Sequence, residues 1–167
     1  MSRATPFLIL LLIAALLGGC GFQLRGSADL PPILQATWLD AGGVSTELQR
    51  QVRQSLGSGG AVLVDDRATA TARLRITGER YQRRTAEVDA RGNITEFELR
   101  YTFRFSLFDE AAGASLIDEA VVEVERTLRY DDSQLLARES EEADMRAEMV
   151  RFAVHQMVRR IEAVAHR

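Results

Sequence analysis

From Phe97 to Leu107 the chain alternates without a break. Phe97, Leu99, Tyr101, Phe103, Phe105 and Leu107 share one parity, and Glu98, Arg100, Thr102, Arg104 and Ser106 share the other. An apolar period of two puts all six large side chains on one face of a strand and leaves the opposite face polar. Such a strand needs neighbours, and its apolar side needs a cover. Ala70 to Val88 supplies one neighbour, with Leu74 and Ile76 on one face and Arg73, Arg75 and Thr77 on the other; Ala90-Arg91-Gly92-Asn93 interrupts the run. After a turn over 110–113, Leu116 to Leu128 supplies the other, with Ala120, Val122, Val124 and Leu128 inward and Asp118 and Arg126 breaking that face near its ends. Three long extended segments in succession predict an antiparallel meander.

The cover is expected from the C-terminal segment. Glu139 to Val164 holds neither proline nor glycine. Met145, Met149, Phe152, Gln156, Met157, Arg160, Ile161 and Val164 trace a helical face, widened by Val150, Val154 and Val158. Glu139, Glu141, Glu142 and Asp144 crowd the first turns and Arg159 and Arg160 the last part, which suits the helix dipole. A short turn from Asp132 or Ser133 is expected to carry Leu135 and Leu136. The methionines are read as core packing against the sheet rather than as an adaptable binding surface.

The first half of the chain is less regular. Gly21 to Gly26 alternates like a short strand, Pro31-Pro32 breaks it, and Ile33 to Leu39 is a second strand candidate closed by Gly42-Gly43. Leu48, Val52 and Leu56 recur every four residues and predict a helix over Ser45 to Leu56, with Ser45 as cap and Gly57-Ser58-Gly59-Gly60 as stop. Ala61 to Val64 is a short strand before the turn residues Asp65-Asp66.

Ahead of all this stands a different pattern. Arg3 is followed by an apolar run from Pro6 to Leu17, then Gly18-Gly19-Cys20, and Cys20 is the one cysteine. A charged start, an apolar core and small residues at a cut read as a secretory signal. The apolar run is short for a membrane span, which takes about 20 residues. Leu17-Gly18-Gly19-Cys20 resembles the lipobox of bacterial lipoproteins. That resemblance implies cleavage before Cys20, an N-acyl and S-diacylglycerol lipid on Cys20 as the only attached group, and a tether at a membrane surface. Stable anchoring takes more than one acyl chain. Gly21, where retained lipoproteins usually carry aspartate, implies an outer-membrane address. Residues 1–19 are thus expected to be removed, and 20–167 to form one domain of ordinary size.

Charge and site chemistry exclude more than they select. The formal charge of –3 becomes –4 once Arg3 is removed, a mildly acidic balance that argues against nucleic acid as a partner. His155 lies among apolar helix neighbours, where a catalytic base would need an orienting partner and a nucleophile nearby, and His166 lies near the end. Asp65-Asp66 and Asp131-Asp132 lack calcium-loop spacing, and there is no Cys/His cluster for zinc. No metal, cofactor or catalytic set is predicted, and the chain is read as no enzyme. Its basic side chains, the two histidines aside, are all arginine. Arg80, Arg83 and Arg84 lie along one extended segment and Arg91 at the turn after it. Arg83 and Arg84 point to opposite faces, so one patch does not hold them all. A hairpin end carrying guanidinium forks suits a phosphorylated or carboxylated ligand, such as a glycolipid head, as well as plain solvation.

Cys20-Gly21-Phe22-Gln23-Leu24-Arg25-Gly26 resembles the mature start of the LPS-assembly lipoprotein family. Tyr130-Asp131-Asp132-Ser133-Gln134-Leu135-Leu136-Ala137-Arg138 resembles that family's motif before the final helix, continued by Glu139, Glu142, Met149 and Gln156-Met157-Val158-Arg159-Arg160-Ile161. The order of elements between these ends also fits. Arg151-Phe152-Ala153 departs from the pattern, where an acidic residue often precedes an alanine pair. The resemblance implies an α+β fold: a small, mainly antiparallel four-stranded sheet covered on one face by two helices, with a short extended N-terminal segment.

It also implies a role. Such proteins plug an LptD-like outer-membrane β-barrel, the LPS translocon, help it assemble, and assist insertion of lipopolysaccharide into the outer leaflet. Position by position it suggests Arg91 and Arg138 as contacts for lipid A phosphates, with Arg80, Arg83 and Arg84 as weaker candidates. A free periplasm-facing lipid or glycolipid binding module and an envelope scaffold are the competing readings.

Overall fold

A computed structural model describes residues 30–129 and 135–165, excepting the side chains of 135–139 and 165. Cys20, the strand expected over 21–26 and the start of the short turn expected at Asp132 or Ser133 lie outside the described residues.

The elements in chain order are β1 (Thr37–Asp40), helix α1 (Thr46–Ser58), β2 (Leu63–Val64), β3 (Ala72–Val88), β4 (Ile94–Asp109), β5 (Ala114–Arg129) and helix α2 (Leu135–Ala165). The three long strands pair antiparallel in succession, as the alternation requires. The four-stranded, mainly antiparallel expectation is corrected: the sheet has five strands in the order β2-β1-β3-β4-β5, and β1 runs parallel to both its neighbours. The crossover through α1 returns the chain to the same end of the sheet, which makes β1 and β2 parallel. Strands of four and two residues are too short for a period-two pattern to reveal their direction.

A second correction concerns Ile33 to Leu39. Pro32–Ala36 forms a 3₁₀ turn, and the strand begins only at Thr37. Pro32 at the first position presets the turn dihedral, and the Leu34 amide donates to the Pro31 carbonyl at 2.9 Å.

Helix α1 starts and stops where its residues dictate. The Ser45 hydroxyl accepts from the Leu48 amide at 3.2 Å, satisfying one of the orphan donors of the first turn. At the other end Ala61 N–H donates to Leu56 O at 3.0 Å and Gly60 N–H to Gly57 O at 3.1 Å. This pair of bonds is a Schellman stop, with Gly60 in the left-handed region at φ 87°. Leu48, Val52 and Leu56 are fully buried.

Both helices cover one face of the sheet and touch each other. Leu74, Ile76, Leu99, Tyr101, Phe103, Phe105, Leu107, Val122 and Val124 form its inner surface. Burying each large side chain there contributes about 1.5–3 kcal/mol. Leu135 and Leu136 belong to helix α2, which is described from Leu135. Its buried stripe is Met149, Val150, Ala153, Val154, Met157, Val158 and Ile161. Phe152 and Arg160, expected on that face, lie outside it. Phe152 is 43% exposed beneath the Arg126 guanidinium, 5.3 Å from its ring centroid. Arg160 donates to the Val121 carbonyl at 2.6 Å, on the outer edge of β5.

Candidate functional site

Strand β3 changes its facing halfway along. Thr77 lies opposite Arg104 and Arg80 opposite Thr102, so Gly78 and Glu79 together face the single position of Phe103. This is a bulge, and Gly78 at φ 65° supplies the left-handed conformation that it uses. One inserted residue inverts the parity. Ala72, Leu74 and Ile76 face the helices before it; Glu79, Tyr81 and Arg83 face them after it. Polar groups therefore enter the helix-covered side.

The Glu79 carboxylate accepts three bonds: from the Ser45 amide at 2.5 Å, the Ser45 hydroxyl at 2.8 Å and the Tyr101 phenol at 2.8 Å. Ser45 thus caps α1 and ties that cap to the sheet. Burial, and then the Glu79 carboxylate, push the Tyr101 phenol above its ordinary range. It stays protonated and donates.

One step further, the Tyr81 phenol and Arg83 share Glu142 of α2, at 2.8 and 2.7 Å. The Arg146 guanidinium lies 4.9 Å from the Tyr81 ring centroid, and that of Arg83 lies 4.8 Å from the Phe97 ring. Burial, then the bond to Glu142, raise the Tyr81 phenol. Tyr81 lines an open cleft of about 500 Å³ between the start of α1, β3 and α2, with Glu47, Glu79 and Glu142 on its walls against Arg146. Carboxylates outnumber cations there, so the cleft does not suit a phosphate. Its polar contacts fasten α2 to the hairpin.

The candidate arginines are spread over several surfaces. Arg83 lies on the helix side and is paired. Arg80 lines a concavity on the open face of the sheet, and Arg84, of the same parity, also faces away from the helices. Arg91 occupies the β3–β4 turn. There the Asp89 carboxylate accepts from the amides of Arg91 and Asn93, at 2.8 and 2.9 Å, and from the Asn93 side chain at 3.0 Å. The turn backbone is thereby fixed, and Arg91 is exposed. Arg138 belongs to the first turns of α2, and its side chain lies outside the described residues. Arg83 therefore lies on the opposite face from Arg80 and Arg84, and Arg91 lies apart at the turn. Glu79, Tyr81 and Arg146 escaped the sequence reading, and Glu142 entered it only as a helix-start acid and a motif residue. The available signal was Gly78, a lone glycine inside an extended run, which marks a bulge and hence a parity change.

The sequence model of one family, LptE, described as "Lipopolysaccharide-assembly", matches residues 30–161, from just before the first turn to the last buried residue of α2. The chain belongs to the LptE family. The LPS-assembly lipoprotein LptE of Yersinia enterocolitica is 32% identical over 166 residues, 98% of this chain and 78% of that protein. The protein of the same name from Pectobacterium atrosepticum is 29% identical, across 92% of this chain and 83% of its own length. Among solved structures, an uncharacterized lipoprotein B from Nitrosomonas europaea superposes with a TM-score of 0.71 at 27% identity, covering 86% of this chain and 91% of that one. For an LptE-family chain the α+β fold is therefore as expected. Among the described residues no helix is long and apolar enough to cross a membrane.

Proposed function

We propose that this chain is an outer-membrane lipoprotein, tethered through lipid on Cys20, that plugs and helps assemble the LPS translocon barrel. In this reading it assists lipopolysaccharide insertion into the outer leaflet and sits within the barrel lumen on the periplasmic side. The observation that carries the reading is the family match across 30–161, which includes every described strand and nearly all of α2. The relatives' shared name, LPS-assembly lipoprotein, agrees with the lipobox-like Leu17-Gly18-Gly19-Cys20.

The surface chemistry is consistent with a partner that handles the acyl chains. The concavity on the open sheet face has mainly polar walls, and the helix-side cleft, though partly apolar, is open and carries Glu47, Glu79 and Glu142; a free lipid carrier would need an enclosed apolar pocket. The contribution assigned to this chain is head-group contact through Arg91 at the exposed turn and Arg138 at the start of α2, with guanidinium–phosphate bonds stronger than neutral ones.

Two measurements test the proposal. Affinity purification of the chain from detergent-solubilised outer membranes is expected to recover a large β-barrel in one-to-one amount; recovery of the chain alone overturns the plug. The double variant Arg91→Ala, Arg138→Ala is expected to lose lipopolysaccharide binding, and unchanged binding removes the head-group role.

A further inference from the structure

Strand β1 covers only the first part of one edge of β3. Its pairing runs from Thr37 opposite Ala72 to Asp40 opposite Arg75, and the chain then turns away into α1. Strand β3 continues to Val88 with β4 on one side and, among the described residues, no strand on the other. At the bulge, Ser45 approaches this edge through its bonds to Glu79. Beyond it, from Arg80 to Val88, every second residue turns its N–H and C=O away from β4, into a strand position that continues the line of β1.

The other two edges of the sheet are blunted. Strand β2 has two residues, and so short an edge offers little to pair with. Along β5 the Arg160 guanidinium donates to the Val121 carbonyl at 2.6 Å, and that of Arg126 to the Glu125 carbonyl at 3.0 Å. On β3 beyond the bulge the α2 side chains Glu142 and Arg146 engage the side chains of Tyr81 and Arg83 and leave the backbone alone.

The two sides of this strand position differ in chemistry. On the helix side it borders the cleft of about 500 Å³, where Glu79 and Tyr81 of β3 face Ala143, Ala147 and Val150 of α2. The carboxylates there are engaged: Glu79 by Ser45 and Tyr101, Glu142 by Tyr81 and Arg83, and Glu47 by Arg50. An entering side chain therefore meets Ala143, Ala147 and Val150, which suits an aliphatic residue. On the open side the bordering β3 side chains are Arg80, Gln82 and Arg84, two cations and no acid. The acids of that face, Glu98, Glu123 and Glu125, stand one and two strands further off, around Arg100. Opposite charges on facing residues of neighbouring strands attract, and like charges repel. Acidic residues are thus favoured on this side.

We infer that the free edge of β3 from Arg80 to Val88, with the cleft beneath α2, is a strand-addition site for an extended protein segment that alternates acidic and aliphatic residues. Backbone bonds to the edge supply affinity, and the alternate side chains supply selectivity. The site is independent of the head-group contacts assigned to Arg91 and Arg138.

The test follows backbone amide resonances of the full chain in maltoside detergent. One probe is the peptide acetyl-Asp-Val-Asp-Leu-Asp-Val-Asp-amide; the other carries Lys in place of every Asp. The acidic peptide is expected to give saturable shifts along 80–88 and new exchange protection at alternate residues there. The basic peptide is expected to bind about tenfold more weakly, the effect of two or three cross-strand charge pairs. The double variant Arg80→Glu, Arg84→Glu should reverse that order. Ala143→Trp, at an exposed position on the cleft wall, should weaken the acidic peptide at least tenfold, with unaltered amide spectra elsewhere verifying the fold. No saturable shift along 80–88, shifts confined to β2 or β5, an unreversed order in the double variant, or wild-type affinity in Ala143→Trp each overturns the inference.

Discussion

The Tyr101 phenol donates to Glu79 across 2.8 Å, joining the buried middle of β4 to a carboxylate that the bulge in β3 has turned inward. The same carboxylate holds Ser45 by its amide and its hydroxyl. One acidic side chain thus fixes the start of α1 against two strands.

Removing either end of this contact has unequal consequences. Tyr101→Phe deletes one bond to a charged acceptor and is expected to cost about 1.5–3 kcal/mol. Glu79→Ala leaves the Tyr101 hydroxyl and both Ser45 donors without their acceptor and is expected to cost more, because unpaired donors carry a desolvation penalty of about 1–3 kcal/mol each when buried. The double variant should cost less than the sum, as coupled neighbours do. Urea unfolding measures all three. A Glu79→Ala penalty no larger than that of Tyr101→Phe contradicts the shared node.

At Gly78 the space and the backbone point to different limits. A Cβ there would meet Arg104 at an ordinary 3.6 Å, so sterics tolerate it. The φ of 65° does not suit a non-glycine L residue, and occupying it costs about 1–2 kcal/mol. Gly78→Ala is expected to lose that amount, and Gly78→Asn less, since asparagine enters the left-handed region more readily. Equal unfolding midpoints for the two variants would place the cost in the side-chain space instead.

The long strands were legible because alternation over Phe97 to Leu107 is a local signal that burial enforces. The Ser45 cap and the glycine stop of α1 were legible for the same reason. Direction and count of the short strands were not, since Thr37–Asp40 and Leu63–Val64 acquire both from the α1 crossover. The candidate site was legible only as a list of arginines. Whether Arg80 and Arg83 face the same way depends on Gly78, and which guanidinium is already neutralised depends on carboxylates brought in from β4, β5 and α2.

The helix face was misassigned at two positions, and stability measurements should show it. Met157 is fully buried, and Met157→Ala is expected to cost about 2–5 kcal/mol in unfolding free energy. Phe152, 43% exposed, contributes chiefly its contact with Arg126. Phe152→Ala is therefore expected to cost about 1 kcal/mol or less, the scale of an exposed cation–π pair. Comparable penalties for the two variants would restore Phe152 to the core.

The turn that presents Arg91 is expected to loosen in acid. Asn93, through its side chain and then its amide, holds the Asp89 carboxyl below its ordinary value of 3.8, with the Arg91 amide adding to the effect. A lowered folded-state pKa means that the stabilisation is complete above the unfolded value, about 3.9, and is lost as pH falls through the folded one. Between pH 5 and 8 the turn should not respond. Below the ordinary value, protonation removes the acceptor from both amides, and the Arg91 and Asn93 amide resonances should shift together. Their common midpoint is expected below 3.8 in the native chain and higher in Asn93→Ala. A midpoint at or above the ordinary value, or one that Asn93→Ala leaves in place, would show that Asp89 does not hold the turn through Asn93.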